Sequence, residues 1–411
     1  MQEYQYLVIG GGIAGGKALE GVREVDPEGS LGLITRENHP PYQKPPLSKT
    51  YLRDETDLDD VYLKSQEKYQ EMDVDLIQGR EAVRIDPEGK VVQLEDGEEI
   101  KYEKLTLATG GSANSLPLWG SELDQVFTLR SIEDSEKIRK AAGPNTRALV
   151  MGGSFIGAEV TASLSQLGSQ VVEIFPESRL LEHIAPEELS RHLTRMLEER
   201  DIRVLPGTVA ESLEGEDAVR RAVLDNRERL DLDFVVMGVG ITLNTEIAEE
   251  AGIEVQQDGS VTVDEKLLTN QPDIYAAGDV TTFPGEYQEG MLHVEHWDVA
   301  RRQGMTAGRN MAGADEAYAA LPYFFSDILD FSFEVWGELT GWEDAVLRGS
   351  LEENSFAYYY FRDGKMVGVL ASGRPEEERE AMKNLPKQRP AQDQVAEVLK
   401  DEDEDLNQLL E

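Results

Sequence analysis

The 411-residue chain contains no cysteine. That absence excludes disulfides, thiolate metal sites, cysteine nucleophiles and every redox mechanism that works through a dithiol. Positive charge is scarce as well: 40 Lys and Arg stand against 81 Asp and Glu, a formal net charge of −41. Nucleic-acid binding needs clustered basic residues to meet phosphates, so it is not expected. Docking on an anionic membrane is disfavoured for the same reason. No run of 18 apolar residues occurs, so no transmembrane span is expected. The start, Met1-Gln2-Glu3-Tyr4, lacks the basic opening of a signal peptide, which points to a cytoplasmic protein. What is present is an ordinary share of apolar residues, 40% before the 37 glycines are added, enough to bury a core. The length suggests roughly two to three domains.

Tyr6 to Ile9 reads as a buried parallel strand running into Gly10-Gly11-Gly12-Ile13-Ala14-Gly15. A helix from Lys17 to Val25 and a strand from Leu31 to Ile34 follow. Strand, glycine turn, helix, strand is the context a dinucleotide fingerprint requires. Four prolines between Asn38 and Ser48 mark an irregular loop. Two β-like segments, Leu76 to Ile85 and Lys90 to Leu94, precede Leu105 to Gly110. The pattern then restarts: strand Ala148 to Met151, turn Gly152-Gly153-Ser154-Phe155-Ile156-Gly157, helix to Leu167, strand Val171 to Phe175. This repeat implies two nucleotide-binding units. From Pro322 the texture changes. Ser332 to Trp336, Ala357 to Phe361 and Met366 to Leu370 read as strands of a small α+β domain. The tail from Arg374 to Glu411 is acidic, and its run Asp401 to Asp405 reads as a solvated or frayed terminus.

In the first turn Gly10 permits the tight bend, Gly12 lets the backbone approach a pyrophosphate, and Gly15 lets helix and strand pack closely. Glu37, beyond the second strand, is a candidate for the adenosine ribose hydroxyls. In the second turn Ser154 replaces the central glycine, and its hydroxyl is a candidate phosphate donor. Glu177 follows that unit's second strand. An acid there favours NAD(H) over NADP(H), while Arg179 is the group that would instead support a 2′-phosphate. Two nucleotide units without cysteine suggest a flavin and a nicotinamide exchanging hydride. His293 and His296 have the spacing of a helical metal pair, but no third ligand accompanies them and no metal is expected.

The loop Pro41-Tyr42-Gln43-Lys44-Pro45-Pro46-Leu47-Ser48-Lys49 resembles the PYxRPxLSK signature of the flavoprotein family that includes ferredoxin, rubredoxin and putidaredoxin reductases and apoptosis-inducing factor. Ala108-Thr109-Gly110, the second turn through Glu159, Tyr275 to Asp279 and Val294 to Trp297 agree with it in order and spacing. Phe324-Phe325-Ser326-Asp327 resembles its FWSD segment, and Phe175-Pro176-Glu177 resembles the apoptosis-inducing factor branch. The resemblance implies an α/β fold with two Rossmann-like domains and a small C-terminal α+β domain. The expected boundaries are 1–116 with 245–320 for FAD, 117–244 for NAD(P)H, and 321–411. It implies that Gly10, Gly12, Ala14 and Gly15 face the FAD pyrophosphate, and that Lys44, Pro45, Ala108, Thr109, Gly110, Gly278 and Asp279 belong to the flavin side. Gly152, Gly153, Ser154, Phe155, Ile156, Gly157, Glu177 and Gly240 belong to the nicotinamide nucleotide. It places Lys49 beside the isoalloxazine, paired with Glu159, with Trp297 packed on the flavin and His296 lining the same cavity. Three positions depart from the pattern: Lys44 stands for arginine, Arg36 precedes Glu37 where an acid ends the strand, and Leu243 replaces the proline of GxxPN.

The resemblance implies an FAD-dependent NAD(P)H oxidoreductase that passes electrons to a ferredoxin-like protein, a quinone or oxygen. The alternative is an apoptosis-inducing-factor-like flavoprotein that uses NADH to switch conformation or dimerisation; a homodimer contact is sought on the C-terminal strands. Only 15 of the 40 basic residues are lysine. The charge therefore suits a halophilic, salt-rich cytoplasm, where screening removes self-repulsion, and folding and flavin retention are expected to rise with molar KCl.

Overall fold

A computed structural model describes residues 2–288 and 290–410. Leu7, Val8 and Ile9 are apolar on both faces of their strand and are buried, as a parallel strand covered on both faces requires. The strand Gln2–Ile9 pairs in parallel with Leu31–Thr35 on one side (Tyr6 opposite Leu31) and with Glu99–Leu107 on the other. Val74–Gln78 extends the sheet beyond Leu31–Thr35, and Ile274–Ala276 joins Glu99–Leu107 in parallel. The segment read as one stretch from Leu76 to Ile85 is two strands, Val74–Gln78 and Ala82–Asp86, broken at Gly79, whose φ is +65°.

The chain divides into two compact units. The first comprises Met1–Lys44, Asp57–Ser112 and Thr242–Pro322, and holds this sheet. Its helices Ile13–Val25 and Trp297–Met311 meet through glycines. A Cβ on Gly304 would lie 2.2 Å from the carbonyl oxygen of Ala14, and one on Gly308 would lie 2.1 Å from that of Ala18. The two backbones can approach this closely only where side chains are missing.

The second unit comprises Pro45–Thr56, Ala113–Ile241 and Tyr323–Glu411. Its parallel sheet runs Arg203–Pro206, Gln170–Phe175, Arg147–Met151, Phe234–Met237, Val126–Thr128. A five-stranded antiparallel sheet runs Tyr323–Ile328, Phe331–Gly337, Lys365–Ser372, Ser355–Arg362, Asp344–Ser350. The three C-terminal segments read as strands lie within it.

The tail is folded, and its run Asp401 to Asp405 is exposed as read. It forms helices Glu376–Gln388 and Gln392–Lys400 and a 3-10 turn, Leu406–Leu409, with Leu399 and Leu406 buried. The run Asp401 to Asp405 is held by Arg348, a residue 2% exposed, which donates to the backbone carbonyls of Val398, Asp401, Glu402 and Glu404. Arg374 adds an ion pair to Glu402 at 2.8 Å. The acids are surface-exposed, but their backbone caps a buried guanidinium, whose terminal Nη donors it satisfies while Glu378 takes Nε at 2.9 Å.

Candidate active site

The first unit contains Gly10, Gly12, Ala14, Gly15, Glu37, Lys44, Ala108, Thr109, Gly110, Gly278, Asp279, His296 and Trp297. The second contains Pro45, Lys49, Gly152 to Gly157, Glu159, Glu177 and Gly240.

In the first unit Gly10 has φ +120°, and a Cβ there would lie 2.1 Å from the carbonyl oxygen of Ala108. A Cβ on Gly15 would lie 1.9 Å from the carbonyl oxygen of Gly10. Around Gly12, which caps the helix Ile13–Val25, nothing lies within 4 Å of where a Cβ would be. The first and third glycines are thus forced by the protein's own backbone, whereas the second opens onto space at a helix N-terminus, where backbone N–H groups favour an anion. The segment Ala108-Thr109-Gly110 is clamped by Asn244. Thr109 Oγ1 donates to the Asn244 carbonyl at 2.7 Å, Asn244 Nδ2 donates to the Thr109 carbonyl at 3.0 Å, and Ser112 Oγ donates to Asn244 Oδ1 at 2.8 Å. Asn244 closes the degenerate GxxPN segment in which Leu243 replaces proline, and its contact with Thr109 spans 135 residues of chain.

Glu37 is half-buried, and its Oε2 accepts the Tyr42 hydroxyl at 2.5 Å. Lys44 Nζ in turn donates to that hydroxyl at 3.3 Å and lies 4.9 Å from the Tyr42 ring centroid. Gly278 packs on the glycine-turn helix, where its Cβ would meet that of Ala14 at 3.0 Å, and this sets Asp279 beside the turn. The buried Gln303 accepts through Oε1 from the Gly278 N–H and the Thr281 hydroxyl, both at 2.8 Å. His293 donates from Nε2 to the Asp279 carbonyl at 2.9 Å and faces Asp258 through Nδ1 at 3.2 Å, so both ring nitrogens are engaged. No group of three potential metal ligands occurs among the described residues. Trp297 opens the helix Trp297–Met311 directly after His296, and Arg301 lies 5.6 Å from its ring. Trp297 Nε1 and Gln303 Nε2 are shielded from water without a hydrogen-bond partner among the described residues. Buried donors are normally satisfied, so these two, with the space over Gly12, fit a bound group rich in acceptors, as FAD is.

The second unit repeats the turn. Gly152 has φ +135° and its Cβ would lie 2.2 Å from the Gly238 carbonyl oxygen; a Cβ on Gly157 would lie 1.9 Å from the Gly152 carbonyl oxygen. Ser154 caps the helix Phe155–Gln166 and is exposed, as is Ile156, so the position of Gly12 accepts a side chain here. Phe155 packs edge-on to Phe324, with ring centroids 5.0 Å apart. Gly240, at φ +89°, accepts through its carbonyl from the Asn114 N–H at 3.0 Å.

Lys49 and Glu159 form a buried ion pair at 2.7 Å, 8% and 4% exposed. Two serines complete the carboxylate shell. Ser48 Oγ donates to Glu159 Oε2 and Ser326 Oγ to Oε1, each at 2.6 Å. The loop carrying Ser48 and Lys49 is fixed from below: Ser135 Oγ donates to the Leu47 carbonyl and Ser163 Oγ to the Ser48 carbonyl. A buried ion pair persists only when its remaining hydrogen-bonding capacity is met, and here both carboxylate oxygens are met. The roles of Ser48 and Ser326 escaped the sequence reading, although both sit in quoted motifs.

Two acids on the strand Gln170–Phe175 and its exit behave differently. Glu177 is half-buried; its carbonyl accepts from the Gly207 N–H, and its Oε2 is shielded without a partner among the described residues. Glu173 is wholly buried, neither oxygen has a partner among the described residues, and burial pushes its carboxyl up to about 8. In the sequence it sits inside the apolar strand Val171 to Phe175.

Comparison with known proteins identifies the family. The model of the pyridine nucleotide-disulphide oxidoreductase family matches residues 4–304, and that of the reductase C-terminal domain matches residues 323–410. A probable ferredoxin reductase of Castellaniella defragrans is 32% identical over 90% of this chain and 91% of its own. Monodehydroascorbate reductase 3 of Arabidopsis thaliana is 31% identical over 95% of this chain and 94% of its own. Among solved structures, a ferredoxin reductase from Rhodopseudomonas palustris superposes with TM-score 0.91 at 30% identity, covering 99% of this chain and all of that one. A putidaredoxin reductase, solved in covalent complex with putidaredoxin, superposes with TM-score 0.93 at 25% identity, covering all of this chain and 99% of that one.

Proposed function

Because the chain belongs to the pyridine nucleotide-disulphide oxidoreductase family and is an FAD-dependent oxidoreductase of the ferredoxin reductase type, we propose that it moves electrons from NADH to a ferredoxin-like iron–sulfur protein. The observation that carries this reading is the buried Lys49–Glu159 pair in a chain without cysteine. Bound FAD supplies the ring that takes hydride from NADH and releases electrons one at a time. Gly10, Gly12 and Gly15 with Asp279 would hold its pyrophosphate and sugar side, and Trp297 and His296 its ring side. The Lys49 ammonium, held by Glu159, is a fixed cation able to stabilise negative charge on a reduced ring. Glu159 would also orient the incoming nicotinamide, and Ser154 would meet its phosphates.

Two observations favour NADH over NADPH. The shielded, unpartnered Oε2 of Glu177 is suited to accept from a free ribose hydroxyl. Arg179, the cation two residues on, is engaged by Glu182 at 3.3 Å. The relatives support the choice of acceptor. Those named as ferredoxin–NAD(+) reductase components, in Photorhabdus laumondii and Burkholderia cepacia, are 29% and 30% identical. The monodehydroascorbate reductases justify a second acceptor, the ascorbate radical.

The test is steady-state NADH oxidation by the holoprotein with a [2Fe–2S] ferredoxin, a quinone, monodehydroascorbate and a dye as acceptors. Ferredoxin reduction at rates approaching those with the dye is expected. Slow turnover with every acceptor, accompanied by an NADH-dependent change in mass, would sink the reading in favour of a redox-sensing flavoprotein.

A further inference from the structure

The turn leaving the strand Gln170–Phe175 carries three donors of the kind that bind a phosphate monoester: the Ser178 N–H, the Ser178 hydroxyl and the Arg179 guanidinium. All three converge on one carboxylate of the chain itself. Glu182 Oε2 accepts from Ser178 N and Oε1 from Ser178 Oγ, both at 2.8 Å. Arg179 Nη1 donates to Glu182 Oε1 and Nη2 to the Glu182 carbonyl, both at 3.3 Å. The same turn holds Glu177 with its unpartnered Oε2. Ser178 and Arg179 also border an open cavity of about 640 Å³, lined further by Arg191 and Arg195 with Glu188 and Glu198. The donors therefore lie where a solute can reach them, and an internal anion already occupies them.

We propose that Glu182 is a specificity-determining residue: its carboxylate occupies the cradle of Ser178 and Arg179 that would otherwise accept the 2′-phosphate of NADPH. The proposal rests on the reading of Glu177 as the ribose-binding acid and adds a second, repulsive element to it. Glu177 rewards a free 2′-hydroxyl, and Glu182 rejects a phosphate by like charge and by keeping its donors occupied. The bonds it receives hold its carboxyl below the usual range, Ser178 first and Arg179 after, so it carries its charge at neutral pH. The residue is not at the strand end, where specificity is usually sought. It lies five positions beyond Glu177, and only the fold of the turn brings it to Ser178.

The test uses the holoprotein and the conservative variant Glu182→Gln. Two quantities are read: kcat/KM for NADPH relative to NADH with a dye acceptor, and calorimetric binding of adenosine 2′,5′-bisphosphate relative to ADP, which needs no turnover. Removing one repulsive charge should raise both ratios by about tenfold, with kcat/KM for NADH nearly unchanged. Adding Arg179→Ala to Glu182→Gln should abolish the gain. Ratios unchanged from wild type in Glu182→Gln, or a gain that survives loss of Arg179, would overturn the proposal. A wild-type protein that already prefers NADPH would instead defeat the reading of Glu177, and that is visible before any variant is made.

Discussion

The two glycine turns use the same backbone device and then diverge in what they place beneath and behind it. In each, a Cβ on the third glycine would lie 1.9 Å from the carbonyl oxygen of the first. In the first unit the next atom that Cβ would meet from the neighbouring strand is Leu33 Cδ1, and in the second it is Glu173 Oε1, both at 3.5 Å. Two residues past the third glycine stands Lys17 in one unit, paired with Glu20 near the surface at 2.8 Å. In the other stands Glu159, buried in its pair with Lys49. The shared part is what any dinucleotide turn needs. The differing part is where this chain keeps charge out of water, and such sites are where function is usually found.

The largest effect expected from this contrast is at the helix position just named. Glu159→Ala leaves the Lys49 ammonium buried without its counter-ion, and should cost roughly 3–5 kcal/mol in denaturant unfolding. Lys17→Ala should cost under about 1 kcal/mol. Equal costs would mean that the two turns do not differ in kind. Flavin reduction by NADH should slow in Glu159→Ala and stay at the wild-type rate in Lys17→Ala.

Next comes the strand beneath the turn. Glu173 has a folded pKa of about 8, above an unfolded value of about 4.3, so the folded state holds a proton that the unfolded state has released between those values. The stability this proton confers is complete below the unfolded value and is lost as pH rises through about 8. Transplanting the first unit's solution, Glu173→Leu, should remove that pH dependence and add on the order of a few kcal/mol above pH 8. A melting temperature with the same pH slope in variant and wild type would refute the buried, neutral acid.

A smaller effect tests the carboxylate shell. Ser326→Ala removes one hydrogen bond to a buried charge, worth about 1.5–3 kcal/mol. It should slow flavin reduction more than it weakens NADH binding, with Ser326→Thr restoring much of the rate. The smallest effect is at the middle position of each turn. Since nothing lies within 4 Å of a Cβ on Gly12, Gly12→Ser should change stability by less than about 1 kcal/mol while weakening flavin binding. Unfolding of this variant would show that the glycine serves the protein and not a ligand.

These contrasts also explain what the sequence could reveal. The glycine turns were legible because their constraint is local: the clash that demands Gly15 is with Gly10, five residues away. The two nucleotide units, and the strands of the C-terminal sheet, announced themselves through apolar runs that the parallel and antiparallel sheets use directly. Ser326 was illegible in its role because the carboxylate it serves lies 167 residues earlier. Glu173 was hidden in the run Val171 to Phe175, where one acid does not break a buried-strand pattern. The acids of the tail face solvent, as their composition suggests; what fixes the tail is backbone, folded around Arg348, and backbone acceptors leave no trace in composition.

The central claim, that this chain takes hydride from NADH onto a bound flavin, is tested most directly by anaerobic titration of the purified holoprotein with NADH and with NADPH, following flavin absorbance. The account predicts bleaching of the flavin with about one equivalent of NADH, by the stoichiometry of a two-electron transfer, and much slower bleaching with NADPH. A protein that holds no flavin and rebinds none, or one that NADPH reduces in preference to NADH, would contradict it.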